Sequence, residues 1–201
     1  MTLVDDLRRC ADASGGPLSR LDAGGDRFGP VAAILFASGG YVSVRQRDHD
    51  GYTVLIWAGD ELEAWGITPR LDDIVTTMRS WQAGHSVQAL TEASPYLTTV
   101  DQQTAVDILW GLLSGNSDPH VSAIVTAAAA HPVLRAQRPW ISHGTLHLLH
   151  PGDPAGSTRR GLAFLPVDED RFTVLVYGGP TGPVQDAETA AATAAAAASA
   201  W

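Results

Sequence analysis

Three kinds of hydrophobic pattern follow one another along the chain. Leu3, Leu7, Cys10 and Ala11 recur at helical spacing and predict a short amphipathic helix over residues 1–13. After a glycine-rich lead-in, 14–30, come short runs rich in β-branched and aromatic residues, which read as strands. These are "VAAILFAS" (31–38), "YVSVRQRD" (41–48), "YTVLIWA" (52–58) and "ELEAWGI" (61–67). Gly39-Gly40, a turn at Asp48–Gly51, and Gly59-Asp60 join them, and connections this short force neighbours to run antiparallel. The period then lengthens. Leu71, Ile74, Val75 and Met78 line a helix for which Thr68 reads as the cap and Pro69 as the first residue.

A helical stretch follows. Thr99 with Gln102 has the spacing of a capping box ahead of Ala105, Val106, Leu109, Leu112 and Leu113. Asp118-Pro119 starts another helix, with Val121, Ile124, Val125 and Ala128 apolar, and His131-Pro132 ends it. Strand patterning then returns in "WISHGTLHLLH" (140–150), "GLAFLPVD" (161–168), "RFTVLVYGG" (171–179) and "PVQ" (183–185). Asp186 caps a closing alanine-rich helix that runs to Trp201.

The second set of strands echoes the first at a spacing of 120 residues. Asp48/Asp168, Asp50/Asp170, Thr53/Thr173, Val54/Val174, Leu55/Leu175, Gly59/Gly179 and Trp81/Trp201 coincide, and Trp57/Tyr177 is a near match. The pattern implies an α+β protein of two pseudo-symmetric modules, each a four-stranded antiparallel meander plus one helix, joined by a helical connector. The boundaries read as 1–30, 31–82, 83–139 and 140–201, all within one compact unit. The competing reading is two unrelated hairpins of similar composition.

Composition narrows the chemistry more than it names it. Apolar residues make up 45% and charged residues 17% of the 201, a globular balance. No apolar run approaches the roughly 20 residues that span a bilayer, and no signal-peptide pattern opens the chain, so a cytoplasmic protein without membrane contact is expected. A net charge of −9 argues against nucleic acid as a partner. All 13 basic residues are arginine, which removes lysine Schiff bases, lysine-anchored pyridoxal phosphate and P-loop chemistry. With Cys10 the only cysteine, no intrachain disulfide and no thiolate cluster can form, and Cys10 itself reads as packing. No cofactor is expected.

Candidate chemistry sits where the two strand sets differ. "VAAILFAS" is apolar throughout, whereas a strand through 140–150 alternates so that His143, Thr145 and His147 share one face. Four residues along a strand span about 13 Å, too far for both imidazoles to meet one ion, and no other histidine spacing suits a metal. The catalytic candidates are therefore His143, with Ser142 to hold it, and His147. Solvated residues on an exposed sheet face are the competing account. Of the six tryptophans, Trp65 and Trp140 lack an aromatic counterpart in the other strand set, so with Thr145 and Arg138 they are the candidates for ligand or partner binding. Glu61 with Glu63, Arg45 with Arg47, and Arg159-Arg160 suit an ordinary solvent-facing role.

The stretches "LRAQRPWISHGTLHL" (134–148) and "AWGITPRLDDIVTTMRSWQAG" (64–84) resemble an uncharacterised family of natural product biosynthesis proteins from GC-rich soil bacteria. The likeness rests on Trp140-Ile141, Ser142-His143, Gly66 with Thr68, and Trp81, and covers most of 31–190. It implies an association with specialised metabolism and no mechanism. Three functions follow as expectations. One is an accessory binding protein that holds a peptide, carrier protein or small-molecule intermediate. Another is a small metal-free cyclase, isomerase or lyase using His143 as acid and base. The last is an immunity or antitoxin-type protein, whose acidic surface meets a basic partner.

Overall fold

A computed structural model describes residues 2–26, 29–47, 51–115, 118–153, 160–168 and 170–201. Contacts divide the chain into Met1–Asp26 with Pro30–Asp101, and Gln102–Trp201 with residues 27–29. The first unit runs α1 (Leu3–Ala13), β1 (Leu21–Asp26), β2 (Gly29–Ala37), β3 (Gly40–Gln46), β4 (Tyr52–Ala58), β5 (Glu61–Thr68), α2 (Leu71–Gln82), α3 (Val87–Ala93) and β6 (Leu97–Thr99). Its strands form one six-stranded sheet in chain order. Alternate residues Leu35, Val42, Val44, Val54, Ile56 and Ala64 are buried in one core with Leu3 and Leu7 of α1 and Ile74, Met78 and Trp81 of α2. Each large aliphatic side chain so buried contributes about 1.5–3 kcal/mol, which is what holds the helices to the sheet.

Arg79 fixes α1 against α2. Its guanidinium donates to the carbonyls of Ala11, Ser14 and Gly16, so backbone acceptors at the end of α1 are satisfied from the neighbouring helix. Cys10 is packing, as its position implied: it is half-buried and its thiol donates to Asp72 Oδ1 at 3.0 Å.

Several local expectations are corrected. Thr68 is the last residue of β5, and α2 begins at Leu71 after Arg70; the Thr68 hydroxyl accepts from the Arg70 amide and donates to Asp73. The lead-in 14–30 contains β1 and the start of β2, because pairing in the sheet outweighs the weak strand preference of Gly24 and Gly25. Thr99 belongs to β6, paired with Ala64, rather than to a cap of the following helix. Part of the turn expected at Asp48–Gly51 lies outside the described residues, as do His49 and Arg159.

The second unit runs α4 (Gln102–Ser114), α5 (Pro119–Ala129), α6 (Pro132–Arg135), β7 (Arg138–Ser142), β8 (Thr145–Leu149), β9 (Gly161–Asp168), β10 (Arg171–Val176), β11 (Thr181–Asp186) and α7 (Ala187–Ala198). The sheet order is β11-β10-β9-β8-β7. Leu146, Leu148, Leu162, Phe164, Phe172 and Val174 are buried, as are the apolar stripes of α5 and α7. α7 packs on β10 and α5, and α5 on β8. Both start signals hold here: Asp118 accepts from the His120 amide, and Asp186 from the Thr189 amide. The alanine-rich helix is packed, with Ala190, Ala191, Ala194 and Ala198 buried; Trp201 lies beyond its end, unlike Trp81, which sits inside α2.

An α+β protein with antiparallel sheets is therefore what forms, in sheets of six and five strands rather than four and four. The helical connector is not uniform either, since α3 and β6 fall in the first unit and α4 to α6 in the second. The strands at the sheet edges are unlike the central ones. β6 has three residues, β1 carries Gly24-Gly25, β7 carries Pro139 and β11 carries Pro183.

Candidate functional site

The segment read as one strand, 140–150, is a hairpin. His143 and Gly144 form its two-residue turn with φ of 50° and 75°, the left-handed pair that closes a tight antiparallel hairpin. The alternation across 143 is thus reset. His143 does not share a face with Thr145 and His147; it stands exposed at the tip, where Ser142 Oγ lies 3.0 Å from its Nδ1. Glycine suits the second position, and histidine is among the few other residue types enriched in this backbone region.

The new register assembles a different group. Trp140 pairs with His147 and Ser142 with Thr145, so these four side chains, with Arg138, lie on one face of the β7–β8 hairpin. Its other face carries Leu146 and Leu148 into the core. The Trp140 and His147 rings stack with centroids 4.3 Å apart and planes 21° apart. Tyr177, just after β10, brings its hydroxyl to 2.6 Å from His147 Nδ1. It reaches that far because residue 161 has no side chain: a Cβ on Gly161 would stand 2.7 Å from the Tyr177 ring. Ala163, the residue opposite His147 on β9, is equally unobtrusive. Small residues on β9 therefore leave the room in which three rings gather.

Burial sets the charge state of this group. It pushes the pKa of His147 down and that of Tyr177 up, and in both cases desolvation is the cause. The imidazole is thereby kept neutral and the phenol protonated. Trp65 belongs to the first unit, on β5 opposite Leu55 and Thr98. Arg138 turns to the loop after β8, where it donates to the Asp153 carbonyl. The base of that loop is tied by Arg160, whose guanidinium holds Asp153 through both carboxylate oxygens and lowers its pKa.

Sequence reasoning singled out Trp140, Ser142, Thr145 and His147 but missed Tyr177 and Gly161. The available signal was that Tyr177 stands where the first strand set has Trp57, while Gly161 stands where it has Tyr41. A surface cavity of about 470 Å³, lined by Asp118, His120, Gly144, Pro166, Val167 and Asp168, opens beside the hairpin turn. The His143 ring is not among its walls. No group of three or more histidine, cysteine or acidic side chains placed to hold a metal occurs among the described residues. No helix of the described residues is long and apolar enough to cross a membrane. No protein-family model matches the chain, and no curated protein or solved structure is similar enough to count as a match.

Proposed function

We propose that the chain is a cytoplasmic accessory binding protein of a bacterial specialised-metabolite pathway, one that holds a peptide, carrier protein or small-molecule intermediate at the Trp140–His147–Tyr177 face. The observation that carries the reading is the ring cluster itself. Two aromatic side chains and a neutral imidazole are half-buried together and cross-restrained. Such groups are typical of binding sites, where rigid amphipathic rings give contact area at small entropic cost. The pathway assignment rests on the resemblance of residues 64–84 and 134–148. The matching strand sequences at 52–58 and 172–178 support descent of both units from one copied module.

A metal-free enzyme is the second reading, favoured by one observation. His147 is half-buried with its ring held by Tyr177, as an acid/base imidazole requires, whereas His143 stands exposed with Ser142 beside it. One experiment separates the two. The gene is deleted in its host, the accumulating intermediate is isolated, and purified protein is titrated with it by calorimetry. A binder takes it up stoichiometrically and returns it unchanged, and Trp140→Ala weakens uptake by about tenfold or more. Turnover that stops in His147→Ala establishes the enzyme instead. If no pathway compound is bound or consumed, both readings fail.

A further inference from the structure

The hydrogen bond between Tyr177 and His147 has a direction that follows from relative acidity. Among the described residues the hydroxyl meets His147 Nδ1 alone. A phenol is a far stronger acid than a neutral imidazole N–H, so the 2.6 Å contact is best matched as O–H donating to Nδ1. Burial keeps the phenol protonated, so that donor persists through the neutral range.

A neutral imidazole that accepts at Nδ1 carries its one proton on Nε2. Nε2 has no hydrogen-bond partner among the described residues and is not a buried atom. The rest of the ring is fixed, with Trp140 stacked on its face and Ala163 opposite it on β9. Arg138 shares this hairpin face but is turned to the Asp153 carbonyl. The ring group itself thus offers an anionic ligand group an N–H but no charge, and a cationic one a donor rather than an acceptor. Moving either out of water without a countercharge is costly, whereas an uncharged acceptor satisfies the N–H.

The geometry points to His147 Nε2–H as the hydrogen-bond donor for an uncharged acyl carbonyl (amide, ester or thioester) of the bound molecule, with Tyr177 as the positioning residue that fixes the tautomer. This rests on the binding reading above and narrows its ligand. The test uses the full chain labelled with ¹⁵N-histidine at neutral pH. Long-range ¹H–¹⁵N spectra should show His147 with a bare, accepting Nδ1 and a protonated Nε2. Tyr177→Phe should turn that single pattern into a mixture of both tautomers. Benzamide, benzoate and benzylamine are then titrated as probes. Benzamide alone should move the Nε2 signal, and its apparent affinity should fall about three- to tenfold in Tyr177→Phe, as for loss of one hydrogen bond.

A protonated Nδ1 in the wild-type chain overturns the inference without any variant. So does a response to benzoate or benzylamine at lower concentration than to benzamide, or a signal indifferent to all three. Uptake of the isolated pathway intermediate with the Nε2 signal unmoved defeats the carbonyl assignment alone. Absence of uptake defeats the broader binding reading instead.

Discussion

At one register position the two sheets carry different chemistry. In the first, Tyr41 on β3 faces Trp57 on β4, with ring centroids 5.4 Å apart and planes 17° apart. The Trp57 indole N–H donates to buried Ser43 at 3.1 Å, so the polar atom is satisfied inside the stack. In the second, the corresponding residues are Gly161 and Tyr177, whose backbones are paired by the Tyr177 amide donating to the Gly161 carbonyl at 2.9 Å. With no ring on the neighbouring strand, Tyr177 lies across the glycine and reaches one strand farther, to His147. Where the first sheet has a self-satisfied aromatic stack, the second has a glycine and a phenol–imidazole pair. The adjoining connections differ too. β2 and β3 are joined by a tight turn ending at Gly40, whereas β8 and β9 are separated by a long loop closed by Asp153 and Arg160.

If this contrast is right, the largest effect lies in the tight turn of the first sheet. A Cβ at Gly40 would stand 1.9 Å from the Trp57 carbonyl oxygen, at a φ of +145° that side-chain-bearing residues rarely adopt. Gly40→Ala should therefore cost about 3 kcal/mol or more in urea unfolding. Next, Gly161→Ala pushes a methyl into the Tyr177 ring and should cost about 1–3 kcal/mol. It should also release the His147 ring, visible as a change in its NMR signals. An unchanged midpoint and unchanged signals would mean that Gly161 is not what lets Tyr177 down onto the sheet.

Smaller effects compare the two polar contacts directly. Ser43→Ala removes the acceptor of a buried indole N–H and should cost about 1 kcal/mol. Tyr177→Phe removes a half-buried contact and should cost no more than about that. A larger loss from Tyr177→Phe would make the pair a stability element rather than a ligand-facing one. The smallest effect is the pH slope. The His147 pKa is depressed in the folded chain, so the unfolded chain takes up a proton first as pH falls. Its contribution is complete above the ordinary imidazole value of about 6.5 and is lost as pH drops through the lower folded value. Denaturation midpoints of wild type and His147→Gln should diverge less at mildly acidic pH than at pH above 7.

The elements that rested on side-chain periodicity were legible in the sequence. Leu3 and Leu7, the strand alternation of 52–58, and the start signals at Asp118 and Asp186 each point to one local structure, and packing agrees with it. What stayed hidden was set by pairing. Ser142-His143-Gly144-Thr145 reads equally well as continuous strand, because only the partner residues decide whether His143 turns or extends. Once it turns, every side chain after it changes face relative to those before it, which is why His143 and His147 exchange importance. Leu21–Asp26 was hidden for the opposite reason: its glycines weaken the local preference, and the sheet supplies what they lack. Tyr177 was legible only as an aromatic in Trp57's place, since its contact with His147 depends on the vacancy at Gly161, two strands' register away from any local pattern.

The composition of the edge strands limits how other chains can be recognised. An incoming peptide that sought to extend either sheet would meet three residues at β6, paired glycines on β1, and a proline lacking an N–H on β7 and on β11. Each is a poor template for main-chain zippering. Association by backbone addition, the usual route to β-type self-assembly, is thereby discouraged at all four margins. Selectivity for a partner must then be written in side-chain chemistry, where a single substitution can retune it.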